Sequence, residues 1–345
     1  MISRVVIKNF KSIGEPGVDL ELKPLTLLVG PNGGGKSSIL EAIAVASQDN
    51  FNGRLVSFPS WQTLVHRLSD NTLLIDVYFD WHEKSNPPGF RRRYEPNGTP
   101  HEGGLLGVPN EESNALLANF RLNSFILSSV RGDVPYTTST REAPKWVGVH
   151  GENLLMLLTI MFGRRLYEDI ENKVVKWANR FGIDALKAGA RGDNQSGSDY
   201  RDSELRAVLD LALSSSGSKQ ILTVITQLFW APEGSLVMIE EPEISLHPGA
   251  QIDVLEMFGE AVKEDKQIIA TTHSTFMLQA LGYAVLKGWL TPDQMVVYHV
   301  EKGEKGTTAT PLPLSEKGYI QDWVPSFTDV ERRLLLEWAK TVPRE

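Results

Sequence analysis

The stretch GPNGGGKSS, Gly30 to Ser38, places four glycines, one lysine and two hydroxyls within nine residues. Glycines permit a tight turn whose backbone N–H groups converge on anionic oxygens. Lys36 adds a compact charge suited to the outer phosphates of a nucleotide, and the Ser37 hydroxyl is a hard oxygen ligand for Mg2+. Gly30, Gly35, Lys36 and Ser37 fit the spacing G-x-x-x-x-G-K-[ST]. Asn32, Gly33, Gly34, Gly35 and Ser38 complete the set expected around the phosphates.

A second cluster lies in LVMIEEPEISLHP, Leu236 to Pro248, where an apolar run ends in Glu240 and Glu241. Side chains alternate along a strand, so the two carboxylates are expected to aim differently. An acid that closes an apolar strand beside a phosphate loop can hold Mg2+ through water, the role expected of Glu240. Its neighbour Glu241 is then placed to accept a proton from attacking water. Surface charge at a strand exit is the plainer reading of the same pair.

Two further pieces carry polar groups at element ends. QIIATTHS is an apolar strand ending in His273, which can bond a terminal phosphate or serve only a structural role. SSSGSKQ puts Ser215 and Gly217 at the start of a helix, either a second anion site or a flexible linker.

These residues need strands that end together and helices that begin there. LTLLVG, the glycine loop and ILEAIAVAS read as strand, turn and helix, the context that the loop requires. Downstream, strands at 236–240, 267–272 and 295–301 alternate with helices over AQIDVLEMFGEAVKE and STFMLQALGYA. That alternation predicts an α/β core with a mainly parallel sheet. RVVIKNF, GVDLEL, LLIDVYFDW and FRRRYEP predict strands, the last two as an antiparallel pair. NSFILSS is a further short strand. Residues 50–75 predict a helix with Leu64, Val65 and Leu68 on one face. NLLMLLTIMFGRRLYEDIENKVVKWANRFG predicts a long helical stretch broken near Gly163, and ARGDNQSGSDYRDS a polar, mobile segment.

Composition narrows the partners. The 345 residues carry a formal net charge of −8 and no cysteine, which excludes disulfides and thiolate chemistry. The seven histidines include no close ligand pair, and no apolar run reaches spanning length. Charges at Arg4, Lys8 and Lys11 interrupt any signal-peptide core, so a cytoplasmic protein is expected. Contact with nucleic acid would need a local patch, for which Arg91 to Arg93 and Arg164 with Arg165 are the candidates. A solvated face is the plainer reading of both.

The order of phosphate loop, S-x-G-x-x-Q loop, IEEPE…LHP and TTHS resembles ABC-type ATPases of the RecF, SMC and OLD (overcoming-lysogenization-defect) group. It is most similar to the AAA-type ATPases related to OLD. IKNFKSI, PLTLLVGPNGGGKSSILEAI, FILSSVRG, VGVHGENLLMLL and GYIQDW extend the likeness over nearly the whole chain. Two departures stand out: Glu240 replaces the usual Asp, and only Ser215 and Gly217 remain of the transporter signature. No segment resembles a zinc hook, a coiled-coil arm or a Toprim nuclease. The resemblance implies one ABC-type ATPase head over 1–345, with an N-terminal lobe and antiparallel β subdomain at 1–135, an inserted helical lobe at 136–205, and a C-terminal lobe at 206–345. It implies a homodimer, open to higher assembly, in which ATP on one subunit is capped by Ser215 and Gly217 of the other. Lys11 would touch the α-phosphate, and Lys36, Glu241 and His273 would act on the γ-phosphate and its attacking water. Ser37 and Glu240 would hold Mg2+. Arg131 is a candidate for γ-phosphate contact or coupling, with a surface ion pair as the alternative. A separate effector such as a nuclease and a role in DNA repair or anti-phage defence follow from the same likeness. A nucleotide-switched module that binds a protein without DNA is the competing expectation, and membrane transport the weaker third.

Overall fold

Leu25–Val29 is buried at every position, and Gln267–Thr272 likewise, so neither strand alternates. Such runs belong in a parallel sheet covered on both faces. In the computed structural model of the chain they lie side by side. The described residues are 1–321 and 337, apart from 49–50, 61–62, 67–71, 81–86, 96–99, 102–103, 108–110, 140–143, 193–194 and 203–204.

The N-terminal sheet is antiparallel and joins β1 (Ile2–Lys8), β2 (Val18–Glu21), β4 (Leu73–Phe79) and β5 (Gly89–Tyr94) with the short β6 (Pro100–His101) and β7 (Leu105–Leu106). The central sheet runs in the order β16 (Gly306–Leu312), β15 (Met295–Gly303), β3 (Leu25–Val29), β14 (Gln267–Thr272), β13 (Leu236–Glu240), β8 (Ser124–Leu127). Every neighbouring pair in it is parallel except β15 with β16. The carboxyl ends of β3, β14, β13 and β8 therefore share one edge, where ligands of open α/β sheets bind.

The helices are α1 (Lys36–Ser47), α2 (Glu111–Leu122), α3 (Leu154–Gly163), α4 (Glu168–Arg180), α5 (Ser216–Trp230), α6 (Pro248–Lys263) and α7 (Thr275–Leu286). One buried apolar cluster joins Val5 and Ile7 of β1, the inner face of α1, the central strands and Trp177 of α4. In α4, Val174, Trp177 and Ala178 form the buried stripe that i, i+3, i+4 spacing gives. Its solvent side is tied to α6 by Lys176–Glu260 and Arg180–Asp253. Exposed pairs of this kind are worth little singly, but two along one helix fix its register.

Three local expectations are corrected. Residues 50–75 hold no α-helix where they are described, only a 3-10 position at Thr63; Leu68 lies outside the described residues. Leu64 to His66 instead pair with the backbone of 9–11, through Lys11 N–H to Leu64 O at 2.6 Å and His66 N–H to Asn9 O at 3.1 Å. The apolar spacing there serves that extended pairing. The polar segment expected to be mobile contains strand β11 (Gln195–Asp202), which pairs with β10 (Ile183–Ala190), β12 (Val208–Asp210) and the short β9 (Thr138–Ser139). Arg191 lies across Gly197 and pairs with both Asp199 and Asp210, so the polar side chains staple this sheet. Third, LRAVLDLAL reads in sequence as strand-like throughout, yet only Val208–Asp210 is strand, and it passes at once into a 3-10 turn at Leu211–Leu213. The long helical stretch breaks at Gly163 as its sequence implied.

Candidate nucleotide site

β3 feeds the glycine loop, and α1 begins at Lys36 behind it. At Gly30, with φ 147°, a Cβ would fall 2.0 Å from Val300 O, so β15 packs directly under the loop. Gly33, at φ 75°, has no atom within 4 Å of its Cβ position and faces open space. The loop is thus braced on one side and clear on the other. Thr307 donates to Gly34 O at 3.0 Å, and Ser12 Oγ sits 2.8 Å from Thr307 Oγ1 and 3.0 Å from Ser38 Oγ.

Lys36 is 7% exposed, and its ammonium rests on the carbonyls of Gly30 and Pro31, each at 2.9 Å. Burial lowers its pKa from the ordinary lysine value, against the pull of Glu241, Glu240 and Glu243. Ser37 is exposed at the first turn of α1.

Glu240 closes β13 opposite Thr271 of β14. Its Oε2 accepts the N–H of Ser129 at 3.2 Å. Glu241 does not continue the strand: its φ is 44°, in the left-handed region, and its N–H donates to Thr271 O at 3.1 Å. The two carboxylates are aimed apart by this backbone reversal, not by strand alternation. A non-glycine residue there costs about 1–2 kcal/mol, which surrounding bonds must offset.

His273 follows β14, with Nε2 3.8 Å from Glu241 Oε1. That separation exceeds a hydrogen bond and leaves both groups facing one gap. Burial lowers the imidazole pKa, the Lys36 charge adds to this, and Glu241 opposes it. Near neutral pH the ring is therefore uncharged and donates from one nitrogen. β14 alone separates the phosphate-loop strand β3 from the acid strand β13, so Lys36, the two glutamates and His273 meet at the shared sheet edge.

Two family patterns match: "AAA ATPase domain" over residues 1–120 and "AAA domain, putative AbiEii toxin, Type IV TA system" over residues 113–278. The chain is 26% identical over 352 aligned positions to an "OLD nuclease" of Thermus scotoductus, covering 88% of this chain and 65% of that protein. It thus spans less than two thirds of that relative. An 85-residue stretch is 33% identical to "Exonuclease subunit 2" of Enterobacteria phage T4, 24% of this chain and 14% of that one. Among solved structures, an SMC head bound to the C-winged helix domain of ScpA superposes with TM-score 0.66 at 17% identity, covering 91% of this chain and 98% of that one. The SMC head domain from Thermotoga maritima gives TM-score 0.53 at 15% identity over 91% and 99%. AAA-type patterns thus run from residue 1 to residue 278, the sequence is similar to an OLD nuclease and the fold is that of SMC heads, a combination that resembles OLD/SMC-like, ABC-type P-loop ATPases.

The sheet-edge residues are joined by Arg131, a candidate from the sequence, and by Glu243, which the sequence did not single out. Arg131, 5% exposed, follows β8 and donates to the carbonyls of Glu240 at 2.6 Å, Glu241 at 2.9 Å, Ser128 at 2.8 Å and, more weakly, Gln220 at 3.4 Å. It makes no surface ion pair, and its guanidinium is spent on backbone rather than offered to the gap. Burial lowers its pKa to about 10 against the attraction of Glu243, Glu240 and Glu241. Glu243, 6% exposed, accepts from the Thr272 hydroxyl and from the His273 N–H at 3.2 Å, while its Oε2 has no hydrogen-bond partner. Burial raises its pKa. The acid two places past Glu241 was the available signal for Glu243, but its partners lie 29 and 30 residues away.

Ser215 caps α5, accepting the Ser218 N–H at 3.1 Å, and is exposed. A Cβ on Gly217 would lie 2.6 Å from Ser245 O, so this loop sits on the turn that follows the glutamates. Neither contact reaches the phosphate loop. Lys11 pairs with Glu41, one turn along α1 from Ser37, and lies over the Phe58 ring at 5.2 Å.

The residues present fit Mg2+. Ser37 offers an exposed hydroxyl, Glu240 has a carboxylate oxygen beyond the one that takes Ser129 N–H, and both donors are hard oxygens. Among the described residues no cluster of three or more His, Cys, Asp or Glu could hold a metal unaided, as expected of an ion that shares ligands with phosphates and water. No described helix is long and apolar enough to cross a membrane.

Proposed function

We propose that this chain binds and hydrolyses ATP with Mg2+ and works as an ATP-gated homodimer that drives a separate effector. The observation that carries the reading is the meeting of Lys36, Ser37, Glu240, Glu241 and His273 at one sheet edge, with the loop open at Gly33. Lys36 leaves the Gly30 and Pro31 carbonyls for phosphate oxygens. Glu241 orients water and takes its proton, while the neutral His273 donates to the γ-phosphate. When bound, Mg2+ draws charge from the phosphates at Ser37 and Glu240. Ser215, exposed at the start of α5, and Gly217, buried behind it against Ser245 O, act on the nucleotide of a second copy.

The effector and its target divide two readings. Likeness to the OLD nuclease supports DNA-associated repair or anti-phage defence with a nuclease partner. The arginines favour a protein partner instead. Arg91 is locked bidentate to Asp76 at 2.7 and 2.6 Å, and Arg93 pairs with Glu95 at 3.6 Å. Arg92 donates to Gln48 O. The cluster's charge is largely answered within the protein, which weakens it as a phosphate patch. One experiment decides: the Glu241→Gln chain, tagged and loaded with ATP, is recovered with whatever protein and nucleic acid it holds. ATP-dependent, salt-sensitive DNA recovery supports the first reading; a protein without DNA supports the second. Absence of ATP turnover in the wild-type chain would sink both.

A further inference from the structure

α5 carries the Ser215 loop at its start, and two glycines wedge that start in place. Gly217 rests on Ser245 O. Gly132, at φ 86°, also sits so close to α5 that a Cβ would lie 2.9 Å from the Gln220 nitrogen. The Arg131 guanidinium, next in sequence to Gly132, has acceptors on three elements: Ser128 past β8, Gln220 in α5, and Glu240 with Glu241 at the end of β13. Arg131 also lies beside a residue in the left-handed region, Glu241, whose backbone it holds by the carbonyl.

We propose that Arg131 is a positioning residue that makes the aim of Glu241 depend on where the Ser215 helix sits. The planar fork of an arginine donates to several carbonyls at fixed angles, which a lysine cannot reproduce. A rigid shift of α5, as when a partner's nucleotide seats on Ser215 and Gly217, moves the Gln220 carbonyl and Gly132 together. Arg131 passes that shift to the two carbonyls that orient the glutamates. Packed interiors transmit such displacements because they do not deform smoothly. The consequence is a base held in line only when the second copy is docked. This rests on the ATPase reading above and adds its regulation.

The test compares the intact wild-type chain with Arg131→Gln and Arg131→Lys. Arg131→Gln should lower kcat roughly tenfold or more, the loss expected for charge-assisted bonds that aim a base, with only partial recovery in Arg131→Lys. ATP and ADP affinities should stay within about twofold of wild type, since the guanidinium donates to four backbone carbonyls and does not face the gap. Hydrogen–deuterium exchange should rise together at residues 216–224 and 240–245. Loss of ATP affinity with ADP affinity kept would overturn the proposal in favour of a γ-phosphate contact. An unchanged kcat with a lower Tm would reduce Arg131 to packing, and faster exchange in only one of the two segments would break the tie. If the wild-type chain turned over no ATP, the ATPase reading would fail and exchange alone would judge the tie. Should neither variant fold, wild-type exchange decides: a nonhydrolysable ATP analogue must shift both segments together, and a shift confined to 240–245 overturns the proposal.

Discussion

Glu241 and His273 face each other across 3.8 Å, Oε1 to Nε2, from the ends of adjacent parallel strands. Neither is hydrogen-bonded to the other at that distance, so both point into the same gap with capacity to spare. The spacing follows from the turn at Glu241, whose positive φ swings the side chain away from the β13 axis and toward His273.

Glu241→Gln removes the proton acceptor and keeps the shape. ATP turnover should fall roughly 10²- to 10⁴-fold, the range of general-base catalysis, with ATP binding retained. A stopped ATPase assay paired with calorimetric binding checks both halves. Size-exclusion chromatography with ATP should show the variant as a more persistent dimer than wild type. Normal turnover in the variant would remove Glu241 from the role of base.

His273 titrates below its ordinary value of 6.5, because burial and Lys36 both disfavour its charged form. The sign follows directly: the ring is neutral above that range and gains a charge only on acidification. Turnover should be flat with respect to this group from pH 7 to 8 and should fall as pH drops below 6.5. His273→Gln keeps a donor that cannot titrate, so that part of the acid limb should vanish from its pH–rate profile. An identical profile in the variant would place His273 outside the reaction.

What was legible in the sequence was local. The glycine loop, the acid-ended strand and TTHS each declare themselves within ten residues, because turn geometry and strand termination are short-range. The α/β alternation follows the same logic. Arg131 was legible only as a position, since its acceptors at Gln220, Glu240 and Glu241 are 89, 109 and 110 residues away. Strand β11 was hidden because glycine, serine and aspartate dominate QSGSDYRD and no apolar alternation marks it. Residues 64–66 misled for the opposite reason: their apolar spacing is real, but an extended pairing with residues 9–11 uses it.

Lys36→Ala should raise the Kd for ATP roughly a hundredfold or more, since in the proposed site the ammonium serves two phosphates through charge-assisted bonds. Fold should be kept, because what Lys36 bonds now are two loop carbonyls that water can reach from the open side of Gly33. Far-UV circular dichroism beside an ATP titration separates the two effects. Tight ATP binding by a folded variant would mean that the loop at Gly30 to Ser38 is not the nucleotide site.

Glu243 offers a test of the buried layer beneath the gap. Burial raises its pKa above the ordinary 4.5, with the Thr272 hydroxyl and the His273 N–H pulling the other way. The folded state therefore holds the proton more tightly than the unfolded chain does. Its contribution to stability is fully present below pH 4.5 and is lost as pH rises through the raised value. Glu243→Gln keeps an oxygen to accept from Thr272 and His273 but cannot ionise. Its Tm relative to wild type should therefore climb from pH 4.5 upward and then level off, with about 1 kcal/mol corresponding to roughly 1–2 °C in a chain of 345 residues. The same substitution should slow turnover less than Glu241→Gln does, because Glu243 steadies the His273 backbone and does not face the gap. Parallel melting curves for variant and wild type across the pH range would show that the Glu243 carboxyl ionises in the fold as easily as in the unfolded chain.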